Sequence, residues 1–200
     1  MLLSWRLVVE HGADILDHVR LLCAVSSHEE IGRFGSRVLA ADLAPDVLIA
    51  VDVVHDYEAA PNRSSFRDCQ LKMGDGMTLC TGSISSDILN NIIETAAQSA
   101  EIPMQRDVRG RDTGNDAMAA FFANIDCAAT SVGFPIRNMH TTSELAHTGD
   151  VLSCLHALYA TLQRMAIERI TSDYFKLNHP RLDHAESFSF KNHEAENIST

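Results

Sequence analysis

Two unbroken apolar runs, RLLCAVSS at 20–27 and DVLIAVDVV at 46–54, flank a segment of helical spacing, IGRFGSRVLAADLAP, that ends on a proline. Such runs lack the polar alternation of a strand with one wet face, so they read as strands covered on both sides. A strand, a helix and a second strand of this kind form a crossover unit, and the pattern returns downstream. SDILNNIIETAAQSAEIP reads as a helix capped by Ser86 and stopped by Pro103. A strand MQRDVRG, a turn RDTGND, a helix AMAAFFANI and a strand CAATSVGFPIR follow. A closing helix, capped near Thr148, runs from about Asp150 to Ile170 and sets Val151, Leu155, Leu158, Leu162 and Met165 on one face. The stretch between the two halves of the pattern is rich in turn formers and carries one or two strands around Lys72 and Leu79. This alternation predicts a three-layer α/β domain around a mostly parallel central sheet.

Two hundred residues, 46% of them hydrophobic, suffice for one well-buried domain or a large piece of a bigger one. Periodicity holds through residue 170 and is lost from Thr171, so 1–170 is expected to be the folded unit and 171–200 a polar, poorly ordered tail. A formal charge of −11 argues against a nucleic-acid partner, because phosphate binding needs a basic surface. A cation or a small substrate suits the charge better. The five cysteines, Cys23, Cys69, Cys80, Cys127 and Cys154, are scattered without close-spaced pairs, which reads as buried thiols in a reducing compartment rather than disulfides. The apolar start, MLLSWRLVV, is too short for a signal sequence, and no run approaches the eighteen or so apolar residues that a membrane span needs. A cytoplasmic protein with neither nucleic acid nor membrane as partner is expected.

Acidic residues fall where strands should end. Glu29 and Glu30 follow the first apolar run, and Asp52 lies within the second. Ligands of doubly wound sheets bind beyond the carboxyl ends of the strands, so these three can converge. A single Asp or Glu in such a place is ordinarily a solvated loop carboxylate. Asp52 differs, because apolar neighbours on both sides make an unpaired charge costly and a cation would relieve that cost. His140 follows the strand CAATSVGFPIR, and a lone histidine is ordinarily a structural residue. Together with Glu30 and Asp52 it completes a nitrogen and oxygen donor set that zinc or cobalt accepts. Glu29, beside a ligand but pointing differently along the chain, suits a general base that takes a proton from an attacking water. Asp112 and Asp116 in RDTGND read as turn and helix-cap residues. His28, His55, Asp56 and His147 lie near this constellation; His55 and Asp56 read as well on the surface as in a substrate pocket, and His28 reads first as exposed.

The segment SSHEEIGRFGSRVLAADLAPDVLIAVDV resembles the Glu-Glu-Val/Ile-Gly block and following Val-Asp strand of the dinuclear-metal aminopeptidases. That family includes glutamyl, deblocking and tetrahedral aminopeptidases, some labelled endoglucanase. The stretch from IPMQRDV to HTGDV is similar to its C-terminal block, with Gln105, a Gly-x-Asp-Ala-like TGNDA and a Pro-x-Arg-x-Met-His signature. The resemblance implies Glu29 as general base, Glu30 and His140 on one divalent metal, Asp52 on the other, and zinc or cobalt as the pair of ions. It implies removal of N-terminal residues from peptides, with 1–170 as a partial metallopeptidase catalytic domain.

The departures are equally specific. The family's earlier histidine is not evident, and aligning LSWR with its Leu-Asp-Asp/Asn-Arg motif sets Ser4 where a bridging aspartate belongs. The chain is therefore expected to correspond to the C-terminal half of the catalytic domain. It is expected to associate with a missing N-terminal half or with copies of itself, and to have little activity alone. Two other readings stand beside the aminopeptidase. One is a non-catalytic remnant or split-gene half, and the other is a small-molecule dipeptide amidohydrolase of the same family acting on a small amide.

Overall fold

The computed structural model describes residues 2–59 and 70–176, with side chains from residue 6 onward. Its elements in chain order are α1 (Leu2–His11), α2 (Ala13–Leu16), α3 (Phe34–Leu43), β1 (Val47–His55), β2 (Met77–Gly82), α4 (Asp87–Ser99), β3 (Met104–Arg109), α5 (Ala119–Ala123), β4 (Ala128–Arg137), β5 (Leu145–Ala146) and α6 (Thr148–Ile167). Short 3-10 turns cover Asp116–Met118 and Ser172–Phe175.

The sheet runs β1-β4-β2-β3, with β5 added to β4. β1 lies parallel to β4 through Val47↔Ala128 to His55↔Ile136, and β2 lies parallel to β3 through Met77↔Met104 to Gly82↔Arg109. The antiparallel joints are short, Thr78↔Gly133 with Leu79↔Val132, and Ile136↔Ala146 with Arg137↔Leu145. The sheet is therefore mostly parallel within a mixed α/β architecture. β4 is buried along almost all of its length, as a strand covered on both faces should be. α4 and α6 cover one face, enclosing a core of Met77, Leu79, Leu89, Ile93, Val132 and Cys154, while the 3-10 turn before α5 packs on β1 and β4 and α3 packs on α5.

α4 starts where its sequence says it should. The Ser86 hydroxyl accepts from the Leu89 amide at 3.4 Å, and the apolar positions Leu89, Ile92, Ile93, Ala96 and Ala97 are buried on one side. α6 begins after His147 rather than near Asp150. Asp150, 1% exposed, accepts from the amides of Gly74 (2.7 Å) and Gly76 (2.9 Å). Gln105 clamps the same loop through the Lys72 amide (2.8 Å) and the Lys72 and Gly76 carbonyls. Those clamps hold Lys72 in a loop, and the strand expected near it begins only at Met77. The remainder of the turn-rich stretch, 60–69, lies outside the described residues, as does Cys69.

The first apolar run departs from expectation. Residues 20–26 form no strand, and among the described residues their backbone groups make no backbone hydrogen bond. Leu22, Cys23 and Val25 face outward, Val25 at 84% exposure. An extended segment becomes a strand only with a bonded neighbour, and among the described residues β1 pairs with β4 alone. Cys23 is thus exposed rather than buried, whereas Cys80 and Cys154 are buried and Cys127 is half-buried.

The first sixteen residues, to which the sequence reading assigned no element, form α1 and α2. These dock Val8 and Ile15 against Ala166, Tyr159 and Leu162 of α6. At the other end, the first residues of the expected tail form a turn that buries Phe175 in the main core and pairs Lys176 with Asp46 at 2.9 Å; 177–200 lie outside the described residues. No helix among the described residues is long and apolar enough to cross a membrane.

Candidate metal centre

Glu29 and Glu30 sit in a closed loop between the unpaired segment and α3. The loop folds on itself, with the amides of Gly32 and Arg33 bonded to the Glu29 carbonyl at 3.2 and 3.0 Å and the Gly35 amide bonded to the Ser27 carbonyl at 2.9 Å. Arg33 precedes α3 in the left-handed conformation, φ 57°. Gly35 is required there, because a Cβ would stand 2.5 Å from the Ser27 nitrogen.

Asp52 comes from β1. Its carboxylate accepts from the Val53 amide at 2.7 Å, and its own carbonyl oxygen lies where a Cβ on Gly133 would be, 1.8 Å away. No side chain fits at position 133 while β1 and β4 keep this spacing. His140 comes from the turn after β4, at φ 62°, with its backbone amide held by Glu144 Oε1 at 2.7 Å. Its Nδ1 stands 3.9 Å from Glu30 Oε1.

The electrostatics place these groups in one field. Burial raises the Asp52 carboxyl above the usual carboxylate range; the Val53 amide opposes, the charges of Asp116 and Glu30 push it further up, and His140 pulls it down. Burial likewise raises Glu29, and Asp52, Asp116 and Glu30 add to it while Arg33 opposes. Glu30 and His140, from two separated stretches of chain, thus approach each other, and Asp52 within the β1–β4 ladder and Glu29 feel the charge of their neighbours. Such a concentration of carboxylates is stabilised by a cation.

The donor set fits a divalent ion only in part. Glu30 and His140 offer an oxygen and a nitrogen close together and Asp52 offers a further oxygen, but among the described residues no three His, Cys, Asp or Glu side chains converge tightly enough to hold an ion. Ser4, aligned with the bridging carboxylate, falls within α1, and its side chain is outside the description.

The neighbouring histidines stay apart from this group. His28 and His55 are exposed, and His55 leans on Tyr57 with ring centroids 6.3 Å apart. His147 precedes α6 and lies 3.6 Å from Asp150. Asp56 is buried in an ion pair with Arg137 at 2.7 Å, which gives it a structural occupation. Asp112 is a turn residue, accepting from the Gly114 amide at 2.8 Å, and it also pairs with Arg33 at 3.1 Å.

Asp116 differs from its expected part. The cap of the 3-10 turn is Asn115, which accepts from the Ala117 amide at 3.1 Å. Asp116 instead accepts from the hydroxyls of Ser26 and Ser36. The sequence reading missed this residue and Gly133. A glycine inside an otherwise apolar strand was the available signal for the second.

Known proteins resemble this arrangement. A family model described as M42 glutamyl aminopeptidase matches residues 6–156. A lysyl aminopeptidase of Pyrococcus furiosus is 30% identical over 165 residues, covering 82% of this chain and 45% of that protein. A glutamyl aminopeptidase of Lactococcus lactis subsp. cremoris is 27% identical over 166 residues, covering 82% and 44%. The chain therefore spans less than half the length of these curated relatives. Among solved structures, the TET aminopeptidase from the marine sediment archaeon Thaumarchaeota archaeon SCGC AB-539-E09 superposes with a TM-score of 0.66 at 22% identity, over 76% of this chain and 42% of that one. PhTET1-12s, a dodecamer in its asymmetric unit, gives 0.58 at 23% identity, over 79% and 47%. These structural likenesses establish a shared fold.

Proposed function

Because the chain belongs to the M42 glutamyl aminopeptidase family, we propose that it carries part of the catalytic centre of a metal-dependent aminopeptidase. In this reading Glu30 and His140 hold one divalent cation, Asp52 holds a second, and Glu29 is the general base. The observation that carries it is the 3.9 Å approach of His140 to Glu30 beside two carboxyls, Glu29 and Asp52, that burial first and neighbouring carboxylates second raise above the usual range. Divalent cations, when bound, polarise the scissile carbonyl and acidify the attacking water. Glu29, raised above an ordinary glutamate, is suited to take up that proton and pass it to the leaving amine. The substrate class is a peptide bearing a free N-terminus or a small amide, and zinc or cobalt matches the nitrogen and oxygen donors.

Among the described residues the donors fall short of the three protein ligands a catalytic zinc ordinarily has, so this reading takes further ligands from outside them. The open edge of β1 and the outward-facing Leu22, Val25 and Val51 suit a docking partner, either the counterpart of the relatives' remaining length or a second copy of this chain. The same shortage of ligands favours a second reading, in which the chain alone is non-catalytic. The scattered free thiols suit a reducing, cytoplasmic setting.

The test is metal content and aminoacyl-anilide hydrolysis after loading with zinc or cobalt. Wild type alone is expected to turn over slowly at best. His140→Ala is expected to lose metal, whereas Glu29→Gln keeps it and abolishes whatever turnover the wild type shows. Equal metal loss in both variants refutes the division of roles.

A further inference from the structure

We propose that Asp116 is a positioning residue that buckles the Glu29–Glu30 loop at both ends; its consequence for metal binding rests on the reading above. Its two carboxylate oxygens are each taken. One accepts from the hydroxyl of Ser26, just before the loop, and the other from that of Ser36, just after it, at 2.6 Å. One side chain, 90 residues from the first serine and 80 from the second, thereby spans the loop's entry and exit. The Ser36 hydroxyl also lies 2.9 Å from the Arg33 carbonyl, and with one proton to donate it favours the nearer, charged Asp116 oxygen at 2.6 Å.

A second fastening comes from the same segment. Asp112 holds the Arg33 guanidinium at 3.1 Å, and Arg33 in turn reaches Glu29 at 3.8 Å. Beyond these the loop has the 3.9 Å approach of Glu30 to His140 and its internal bonds, Phe34 to the His28 carbonyl at 3.4 Å being the longest of them. Asp116 adds a negative charge beside Glu29 and Asp52, which is unfavourable by itself. Two charge-assisted hydrogen bonds oppose that cost, and they fix where the chain enters and leaves the loop that carries both glutamates. With both oxygens engaged by hydroxyls, Asp116 acts on the site through the loop.

The experiment uses the full 200-residue chain. Hydrogen exchange is followed by mass spectrometry in wild type, Asp116→Ala and Asp116→Asn, and Zn2+ binding is measured by calorimetry on the same proteins. Asp116→Ala is expected to speed exchange about tenfold in peptides spanning Ser26 to Arg37, with α4 and α6 unchanged. It is also expected to weaken Zn2+ binding about 10–100-fold. Asp116→Asn, which can accept from one serine and donate to the other, should recover most of both losses. Unchanged exchange in 26–37, equally faster exchange in α4 and α6, failure of Asp116→Asn to recover, or a loosened loop with unaltered Zn2+ affinity would each overturn the proposal. If Asp116→Ala does not fold, Ser26→Ala/Ser36→Ala removes the same two bonds and is judged by the same criteria. Should wild type take up no Zn2+, the metal reading fails, and the exchange comparison alone decides the buckle.

Discussion

Beneath α4 and α6, β2 presents Met77 and Leu79 to a continuous core, and hardly any of that apolar surface meets solvent. Along the first 55 residues, Leu22, Val25, Ile31, Val38 and Val51 all face outward. Both regions are apolar in sequence, so hydrophobicity does not separate them. What separates them is whether a neighbouring element exists to receive the side chains. In the closed region α4 and α6 lie over β2 and β4, whereas in the open region, among the described residues, β1 has one bonded neighbour and the preceding run has none. The candidate centre lies on the border. Glu29, Glu30 and Asp52 come from the open side, and His140 and the buckling Asp116 from the closed one.

The contrast is broken most directly in the closed core. Leu79→Ala, at a residue only 1% exposed, should cost about 2–5 kcal/mol in urea unfolding. A loss below about 1 kcal/mol would mean that the two regions are packed alike.

Thiol labelling sharpens the same difference without mutation. Burial pushes the Cys154 thiol up to about 11 and that of Cys127 up to about 12, while Cys23 is exposed. At pH 8, a disulfide reagent followed by site-resolved mass spectrometry should modify Cys23 at least about tenfold faster than Cys154. Equal rates would mean that the core opens as readily as the surface segment.

The smallest effect is expected at the most outward apolar residue. Val25→Ser should change stability by less than about 0.5 kcal/mol, since no burial is lost, and should reduce self-association in light scattering. A clear destabilisation would place Val25 in a packed environment.

The parts legible in the sequence are those whose signals are local. The unbroken run of β4, the serine and proline that bound α4, and the long stripe of α6 each specify an element whatever surrounds it. The run at 20–27 was misread as a strand, because its apolar pattern encodes a willingness to pair and the partner is a separate matter. The site shows the same limit. Glu29, Glu30, Asp52 and His140 were picked out by position after or within expected strands. Asp116 looked like a cap because its work is done on serines 80 and 90 residues away, which no local window contains.

The hydrogen at Gly133 carries a mechanical meaning for the centre. With the Asp52 carbonyl against the place of the missing Cβ, β1 and β4 run backbone to backbone at this level and leave no room for a larger residue. Asp52 is thereby a fixed reference for the centre, against which the buckled Glu29–Glu30 loop and the left-handed turn of His140 are set.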